Sequence, residues 1–383
     1  MLPPRPVRRF ALAPLVAAIA VSLAALAIPV ALLSAAYSLV RRRAQPGRRP
    51  SRLLRVACLV LAWSAGETAA LTVLLCLWIV SGFGGRLETE PYQARHYALM
   101  EWFLDLVYRA AERACDLRVE VSGPPDAAAA AGRPVIVLCR HAGPGDSLLM
   151  VHHLLSVYRR RPRLVMKAAL QLDPSVDIVA NRVPNVFIPR RRRPARPETG
   201  SERAEAALAT DRPQTELIRR LAAGLDRDGA LVIFPEGGNW TPLRWRRAVD
   251  RLRRRGERDL AARAAAMPNV LPPRPGGALA AIEACPEADV IFVAHAGLDT
   301  LVSVRDVWQS LRGDLTVRVQ WWRVPAGEVP RAAGRDAQVE WLFDWWARVD
   351  GWVTAEHAAG LPGTAAGDPA GRVVQGGEAR VQS

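Results

Sequence analysis

The sequence predicts an α/β fold with a mixed sheet flanked by helices, preceded by an N-terminal membrane-embedded two-helix segment. Residues 1–90 contain two long apolar runs. Residues 91–355 then alternate short apolar runs of strand character with stretches of helical periodicity, which is typical of an α/β domain. Residues 356–383 are rich in Gly, Ala and Pro, and we expect a disordered tail there.

The first apolar run covers about residues 10–40, and a helix needs about 20 apolar residues to cross a bilayer. Arginines precede this run, so a cleaved signal peptide is the alternative interpretation. The length of the run, and a second apolar run at 53–82, favour a retained anchor. The second run contains Gly66 and Glu67 near its centre. A carboxyl group is costly in lipid, and we interpret this pair as a helix–helix packing contact rather than a catalytic feature.

The topology of the anchor is left open by the sequence. The linker between the two apolar runs is rich in arginine, with Arg41, Arg42, Arg43, Arg48, Arg49, Arg52 and Arg55. The positive-inside rule places such a linker in the cytoplasm. Two full spans would put the following domain on the opposite side. A hairpin within one leaflet, or a partly inserted second helix, would keep both on one side, and a cytoplasmic catalytic domain is the expectation.

The net charge and the cysteine content limit the classes of partner and cofactor that are expected. The 383 residues carry a formal charge of +15, and Lys167 is the only lysine. The excess of Arg, Ala, Gly and Pro is typical of a GC-rich bacterial genome, so the charge partly reflects codon usage. A basic surface still favours phospholipid headgroups, coenzyme A phosphates or nucleic acid. The five cysteines form no C-x-x-C pair, which argues against a disulfide scaffold or a zinc site, and no metal or other cofactor is expected.

Strands and helices are predicted in alternation after the anchor. The predicted helices cover 91–115, 146–158, 201–225 with an interruption at Pro213, 243–266, 277–284 and 336–353. The predicted strands cover 117–121, 134–139, 163–166, 186–188, 230–234, 290–294 and 315–324.

A histidine and an aspartate form the first candidate site. Residues 140–146 read RHAGPGD, directly after a predicted strand, and Asp146 is placed to cap the next helix. The Gly-Pro-Gly turn can fold His141 and Asp146 together. An imidazole held by a carboxylate is an oriented general base, which could take the proton of a lipid hydroxyl as that oxygen attacks a thioester. On this motif alone, a capping aspartate near a loop histidine is the better explanation.

A glycine-rich turn forms the second candidate site. Residues 234–239 read FPEGGN after a predicted buried strand. A carboxylate and two glycines at a strand end allow backbone N–H groups to approach a substrate. The alternative is an ordinary Gly-rich turn with a solvent-facing Glu236.

Together these patterns resemble the glycerolipid acyltransferase family, which includes the lysophosphatidate acyltransferases. In that family an H-x4-D motif is followed, at similar spacing, by F-P-E-G. Residues 186–190 (VFIPR) resemble the family's second motif, and 270–277 (VLPPRPGG) resemble its fourth. The fourth is closest to the branch that acts on lysocardiolipin and lysophosphatidylglycerol. The resemblance covers residues 92–353, and four motifs in order are far more specific than one.

The resemblance implies a role for each matching residue. His141 would be the general base and Asp146 its orienting partner. The expected substrate-binding residues are Lys167, Arg190, Glu236, Gly237 and Arg274. Among these the two arginines would bind phosphate of the acceptor or of coenzyme A, while the glutamate and glycine would shape the acceptor site. A solvated surface position is the equal alternative for the lysine.

Three positions depart from the family pattern. The family commonly reads E-G-T-R, so an arginine that binds phosphate is missing at Asn239, and this puts lysophosphatidate in doubt as the acceptor. Pro189 replaces an acidic residue, and Arg140 replaces a polar residue before the motif histidine. Elsewhere, His295 is interpreted as a core histidine, and His152 and His153 as packing or surface residues.

The sequence therefore predicts an acyltransferase similar to the 1-acylglycerol-3-phosphate O-acyltransferases. Its expected partners are acyl-CoA or acyl carrier protein, a lysolipid acceptor and membrane lipids. No G-x-S-x-G nucleophile motif is present, so direct attack without an acyl-enzyme is expected. The alternatives are a non-catalytic membrane protein that binds anionic lipids and a nucleic-acid binder. The latter has no recognisable binding motif, and nucleic acid is not expected as a partner.

Overall fold

A seven-stranded mixed sheet forms the centre of the chain. The structure is a computed structural model that describes residues 2–44, 49–123, 132–189, 213–299, 308, 311 and 315–361. Arg190, the predicted helical residues 201–212 and residues 362–383 of the predicted tail lie outside the described residues.

The strands run in the chain as β1 Arg118–Ser122, β2 Val135–Cys139, β3 Arg161–Lys167, β4 Val186–Ile188, β5 Gly229–Ile233, β6 Asp289–Ala296 and β7 Thr316–Val324. Their spatial order is β1-β7-β6-β2-β5-β3-β4. The five strands from β6 to β4 are parallel, whereas β7 is antiparallel to β6 and parallel to β1. The predicted α/β class with a mixed sheet is confirmed.

Helix α1 is continuous from Arg5–Val7 through the π-turn Arg8–Leu12 to Ala13–Ala44. The next helices are α2 Arg52–Val80, α3 Glu90–Cys115, α4 Pro144–His152 and α5 Pro174–Ala180. They are followed by α6 (213–223), α7 Pro242–Arg254, α8 Arg258–Ala265, α9 Pro275–Ala284 and α10 Arg335–Ala358. A π-turn, His153–Val157, extends α4, and the short 3₁₀ turns are Ala168–Leu172 and Ala326–Glu328.

The two central strands β2 and β5 are buried at every residue. Their uninterrupted apolar sequences suit a parallel sheet with both faces covered. Side chains alternate between two clusters: Ile136 and Leu138 pack with α6, α9 and α10, whereas Val135 and Val137 pack beneath α4. The tryptophans of residues 341–346 belong to or pack on the first cluster, as predicted for core residues.

The prediction of one basic helix over 243–266 is wrong. The segment forms α7 and α8, which are separated near Gly256. Gly256 has φ +78°, a left-handed conformation that glycine adopts without steric cost and that ends a helix.

The two N-terminal helices are confirmed as long and apolar. They are suited by length and composition to cross a membrane over Arg5–Arg41 and Arg52–Val80. Only 6% of the most apolar stretch of α1 and 28% of that of α2 is buried. A core helix of a soluble protein would be mostly buried, so these helices present apolar surface outward. α2 packs closely on α3, since a Cβ added at Gly66 would lie 3.0 Å from the Phe103 ring.

Buried polar contacts attach this helix pair to the sheet domain. Arg8 Nη2 in α1 lies 2.9 Å from Asp177 Oδ1 in α5, and both side chains are buried. Ser175 donates to Glu67 Oε2 over 2.8 Å, which agrees with the packing interpretation of Glu67. Near the start of α2, at the opposite end of the helix pair from Arg8, Arg55 Nη1 donates to the carbonyl of Ala114 over 3.0 Å. Both ends of the helix pair therefore contact the same domain.

Replacing Asp177 with alanine should loosen this attachment. The substitution leaves the Arg8 guanidinium buried without its charge partner, which costs about 3 kcal/mol of unfolding free energy. Thermal unfolding in detergent and the rate of proteolysis between α1 and α2 measure the loss. The matched control is Asp250→Ala, which removes the exposed partner of Arg253 and should cost less than about 1 kcal/mol. Equal losses in the two variants would contradict the assigned role of the buried pair.

Candidate active site

Three parallel strands bring the predicted motifs to one edge of the sheet. β2 is the central strand, and its last register pairs are Leu138 with Ile233 of β5 and Cys139 with Val293 of β6. Continuing these registers places Glu236 on one side of His141 and His295 on the other. The carboxyl ends of parallel strands are the usual location of sites in open α/β sheets. The two motifs do meet there, since Trp240 N donates to the carbonyl of His141 over 2.8 Å.

His141 and Asp146 form a hydrogen-bonded pair, the His–Asp dyad. Nδ1 of His141 lies 3.1 Å from Oδ1 and 3.2 Å from Oδ2 of Asp146. An ionised carboxylate only accepts hydrogen bonds, so Nδ1 carries the proton and Nε2 presents a lone pair. Within the described part of the chain, no hydrogen bond reaches Nε2. The ring of Phe234 packs against the imidazole, with centroids 4.5 Å apart. This geometry suits a general base.

Asp146 is the third residue of α4 rather than its cap, so the capping prediction is wrong in position. The helix begins at Pro144, and Gly143 is the residue before it. The carboxylate reaches back, accepting the N–H of Ala142 over 2.6 Å and of Gly143 over 2.9 Å. Burial would raise the pKa of Asp146, but hydrogen bonds from His141 and His295 outweigh it and hold that pKa well below its usual range. The carboxylate is therefore ionised and fixed in direction.

Glu236 is buried and connects three segments of the site. Its Oε1 accepts the N–H of His141 and its Oε2 accepts the N–H of Leu271, each over 3.1 Å. The side chain is 1% exposed, which excludes the solvent-facing alternative. Burial raises the pKa of Glu236 to about 8, against the lowering effect of Arg140 and of the two backbone donors. Glu236 thus shapes the site by holding its walls together.

Gly237 allows a close approach that no other residue would permit. Its φ is +68°, and a Cβ there would lie 2.8 Å from Cζ of Arg274. The backbone N–H of Arg274 donates to the carbonyl of Pro235 over 2.9 Å. The turn at 234–239 and the N-terminus of α9 are thereby packed together, with the guanidinium of Arg274 over the turn.

Two further cations lie near this turn. Lys167 ends β3, and partial burial with the charges of Arg244 and Arg274 lowers its pKa, while the charge of Asp146 opposes that shift. Arg244, which the sequence reasoning did not single out, donates from Nη1 to the carbonyl of Asn239 over 3.0 Å. Its position in the first turn of α7, directly after the glycine-rich turn, is the signal that could have identified it. The structure thus groups three cations beside the dyad.

His295 is the second residue that sequence reasoning did not assign to the site. It is 2% exposed, as a core histidine should be, yet its Nε2 lies 3.4 Å from Oδ2 of Asp146. His152 instead stacks on Tyr108, with ring centroids 4.3 Å apart, in agreement with a packing role. Among the described residues, no group of three or more His, Cys, Asp or Glu side chains could hold a metal ion.

An apolar cavity opens beside the dyad on the α4 face of the sheet. Asp146 and His295 form part of its wall. Most of the remaining lining is aliphatic or aromatic, and includes Val135, Val137, Leu149, Met150, Leu154, Ile291, Val293 and Trp321. An apolar cavity with a few convergent polar groups is typical of a small-molecule site.

Comparison with known proteins found one family model and similar solved structures. A family model described as acyltransferase matches residues 118–296, from the start of β1 to the end of β6. No curated protein matches the chain significantly. Among solved structures, the chain is similar to the 1-acyl-sn-glycerophosphate acyltransferase PlsC from Thermotoga maritima, with 14% identity, 76% of this chain and 98% of that chain covered, and a TM-score of 0.36. The family match supports an acyltransferase domain in this part of the chain.

The raised pKa of Glu236 predicts a pH-dependent stability. A carboxyl group with a pKa near 4.3 when unfolded and about 8 when folded binds a proton only in the folded state between those values. Its contribution to stability is therefore lost as pH rises from about 5 to about 8. Glu236→Gln cannot ionise, so the unfolding free energy of wild type minus that of the variant should fall by at least about 1 kcal/mol between these pH values.

Chemical denaturation at both pH values measures this difference. The exposed Glu340→Gln variant is the control and should follow the wild type at each pH. A difference between wild type and Glu236→Gln that does not change with pH would show that Glu236 has no raised pKa.

Proposed function

We propose that this chain transfers a fatty acyl group from acyl-CoA or acyl carrier protein to a hydroxyl of a lysophospholipid or related glycerolipid. In this proposal residues 1–90 are the membrane anchor and 91–355 the acyltransferase domain. The observation that carries it is the His141–Asp146 pair: an imidazole oriented through Nδ1 by a buried ionised carboxylate, with Nε2 unused among the described contacts. The family match over 118–296 supports the reaction class.

The chemistry follows from the tautomer. Nε2 of His141 accepts the proton of the acceptor hydroxyl as its oxygen attacks the thioester carbonyl. The C–O bond forms, the C–S bond breaks, and the leaving thiolate receives that proton back from the imidazolium. Asp146 stays ionised throughout and stabilises the transient positive charge through Nδ1–H, which is the usual role of the carboxylate in such pairs.

A cation cluster supports recognition of phosphate. Lys167, Arg244 and Arg274 lie around the turn at 234–239, and guanidinium groups bind phosphate through paired hydrogen bonds. Arg244 brings a guanidinium to Asn239, the position at which the resembling family has its arginine. Arg190 stays part of the proposed set, although it lies outside the described residues.

The apolar cavity supports a fatty acyl substrate. It adjoins Asp146, so a chain bound there would have its carbonyl end at the dyad. Burial of each CH₂ contributes about 0.8 kcal/mol, which makes a cavity lined by aliphatic side chains selective for long acyl chains. The fourth motif, at 270–277, favours lysocardiolipin or lysophosphatidylglycerol as acceptor within this proposal.

Membrane attachment from one side fits the contacts of α1 and α2. Both ends of the helix pair contact the sheet domain, through Arg8 with Asp177 and through Arg55 with Ala114. This arrangement supports a hairpin within one leaflet, or a partly inserted second helix, over two full spans. The arginine-rich linker and the catalytic domain would then share the cytoplasmic side of a bacterial membrane.

His141→Ala should reduce acyl transfer by at least about 100-fold, because it removes the general base. The assay measures thiol release from acyl-CoA and labelled product with a panel of lysolipid acceptors. Melting temperature and vesicle binding should stay at wild-type values. Full activity in this variant would remove the proposed chemistry. A wild-type protein that binds anionic vesicles but releases no thiol above background would favour the non-catalytic lipid-binding alternative.

Arg244→Gln should raise the KM of the substrate that brings phosphate to the cluster by about 10-fold or more, with little change in kcat. The acceptor arm compares lysophosphatidylglycerol with monoacylglycerol. The donor arm compares acyl-CoA with an acyl thioester that has no phosphate. Arg253→Gln, on the same helix and paired with exposed Asp250, is the matched control and should leave every KM unchanged. An unchanged KM for all four substrates in Arg244→Gln would exclude Arg244 from binding.

A further inference from the structure

The histidine at the end of β6 contacts the carboxylate of the dyad from a separate strand. Nε2 of His295 lies 3.0 Å from the carbonyl oxygen of Arg140 and 3.4 Å from Oδ2 of Asp146. Both of these groups are acceptors, so Nε2 must carry the proton. Its N–H is therefore shared between the strand that leads into His141 and the carboxylate that orients His141.

We propose that His295 is a positioning residue, which acts through Asp146 so that one carboxylate is shared by two imidazoles. This inference rests on the proposed acyl transfer by His141. His295 approaches Oδ2, while Oδ1 accepts from Ser147 over 3.1 Å as well as from His141. Donors to both oxygens fix the plane of the carboxylate, and that plane sets the direction of the bond to Nδ1 of His141.

His295 is itself held in place by Arg140. Nη1 of Arg140 donates to the carbonyl of His295 over 2.7 Å, and the carbonyl of Arg140 accepts from Nε2 of His295 over 3.0 Å. The two residues are thus joined in both directions, across the adjacent parallel strands β2 and β6. Arg140 is 1% exposed, so its guanidinium cannot relax into solvent. The arginine that departs from the family pattern thereby gains a function in this chain.

The C-terminal helix α10 braces the same arginine. Nη2 of Arg140 pairs with Asp299, and Nε and Nη2 donate to the carbonyl of Asn269 over 3.2 and 3.0 Å. Asn269 N in turn donates to Asp350 Oδ1 of α10 over 2.7 Å. A continuous series of contacts therefore joins α10 to the dyad. It runs from Asp350 through Asn269, Arg140 and His295 to the carboxylate of Asp146. Rigid support of this kind keeps a catalytic pair in its productive geometry.

Two substitutions at His295 separate positioning from simple packing. His295→Leu places an apolar side chain of similar size at this position and removes the N–H donor to Asp146. His295→Gln can place an amide N–H near the position of Nε2. If His295 orients the dyad, the leucine variant loses about 10–100-fold in kcat, with KM for donor and acceptor within about twofold of wild type. The glutamine variant should recover kcat to within about threefold.

His96→Leu is the matched control for the loss of a buried imidazole. His96 is fully buried in α3, where its Nδ1 lies 2.6 Å from the carbonyl of Tyr92, away from the dyad contacts. It should lower the melting temperature without lowering kcat per folded molecule. Unchanged kcat in His295→Leu, or equal kcat losses in the leucine and glutamine variants, would overturn the positioning role. Failure of the proposed function is distinguishable, because either the wild type would then release no thiol above background or His141→Ala would keep full activity.

Discussion

The shared register of the parallel strands β5, β2 and β6 is the constraint on which the site depends. Backbone pairing of three buried strands places the residues that follow them side by side at one edge. His141 stands in the middle, with Glu236 and His295 beside it. A slip of one residue in either pairing would turn the flanking side chain to the other face of the sheet. The apolar core that fills both faces therefore fixes the geometry of the candidate site as well as the fold.

Buried carboxylates give this edge its chemistry, and each is satisfied differently. Asp146 has imidazole, hydroxyl and backbone donors around its two oxygens, and its pKa is lowered although burial opposes this. The donors to Glu236 within the described residues are backbone N–H groups, and burial dominates, so its pKa rises to about 8. Two carboxyl groups in one site are thereby pushed in opposite directions by their surroundings. The first remains an anion that can orient a base, whereas the second connects its turn to the backbone that follows β2 and to the segment that precedes α9.

Much of this arrangement was accessible from the sequence, and the exceptions have physical reasons. The apolar runs predicted most strands within two residues, and the family resemblance implied that His141 and Glu236 belong to one site. The break at Gly256 was missed because arginines continue on both sides of it. The burial of His295 agrees with its interpretation as a core histidine. Its contact with Asp146 was not predicted, because that contact depends on the pairing of β2 with β6. Local patterns do not encode pairing between distant strands. Arg244 was missed for a different reason, since its position directly after the glycine-rich turn was a local signal that the sequence analysis did not use.

The contacts along α2 bear on how the proposed membrane anchor is placed. A helix of about 29 residues extends about 44 Å, more than the roughly 30 Å of the hydrocarbon core. Arg55 near the start of α2 contacts the start of the sheet domain, and Leu74 near its end accepts from Arg182 over 2.7 Å. A domain attached along the whole length of α2 cannot lie wholly outside a bilayer that α2 crosses. In the proposed hairpin within one leaflet, the helix pair would expose its apolar faces to lipid, and the dyad would lie with the domain at the membrane surface, where the proposed lysolipid acceptor could reach it.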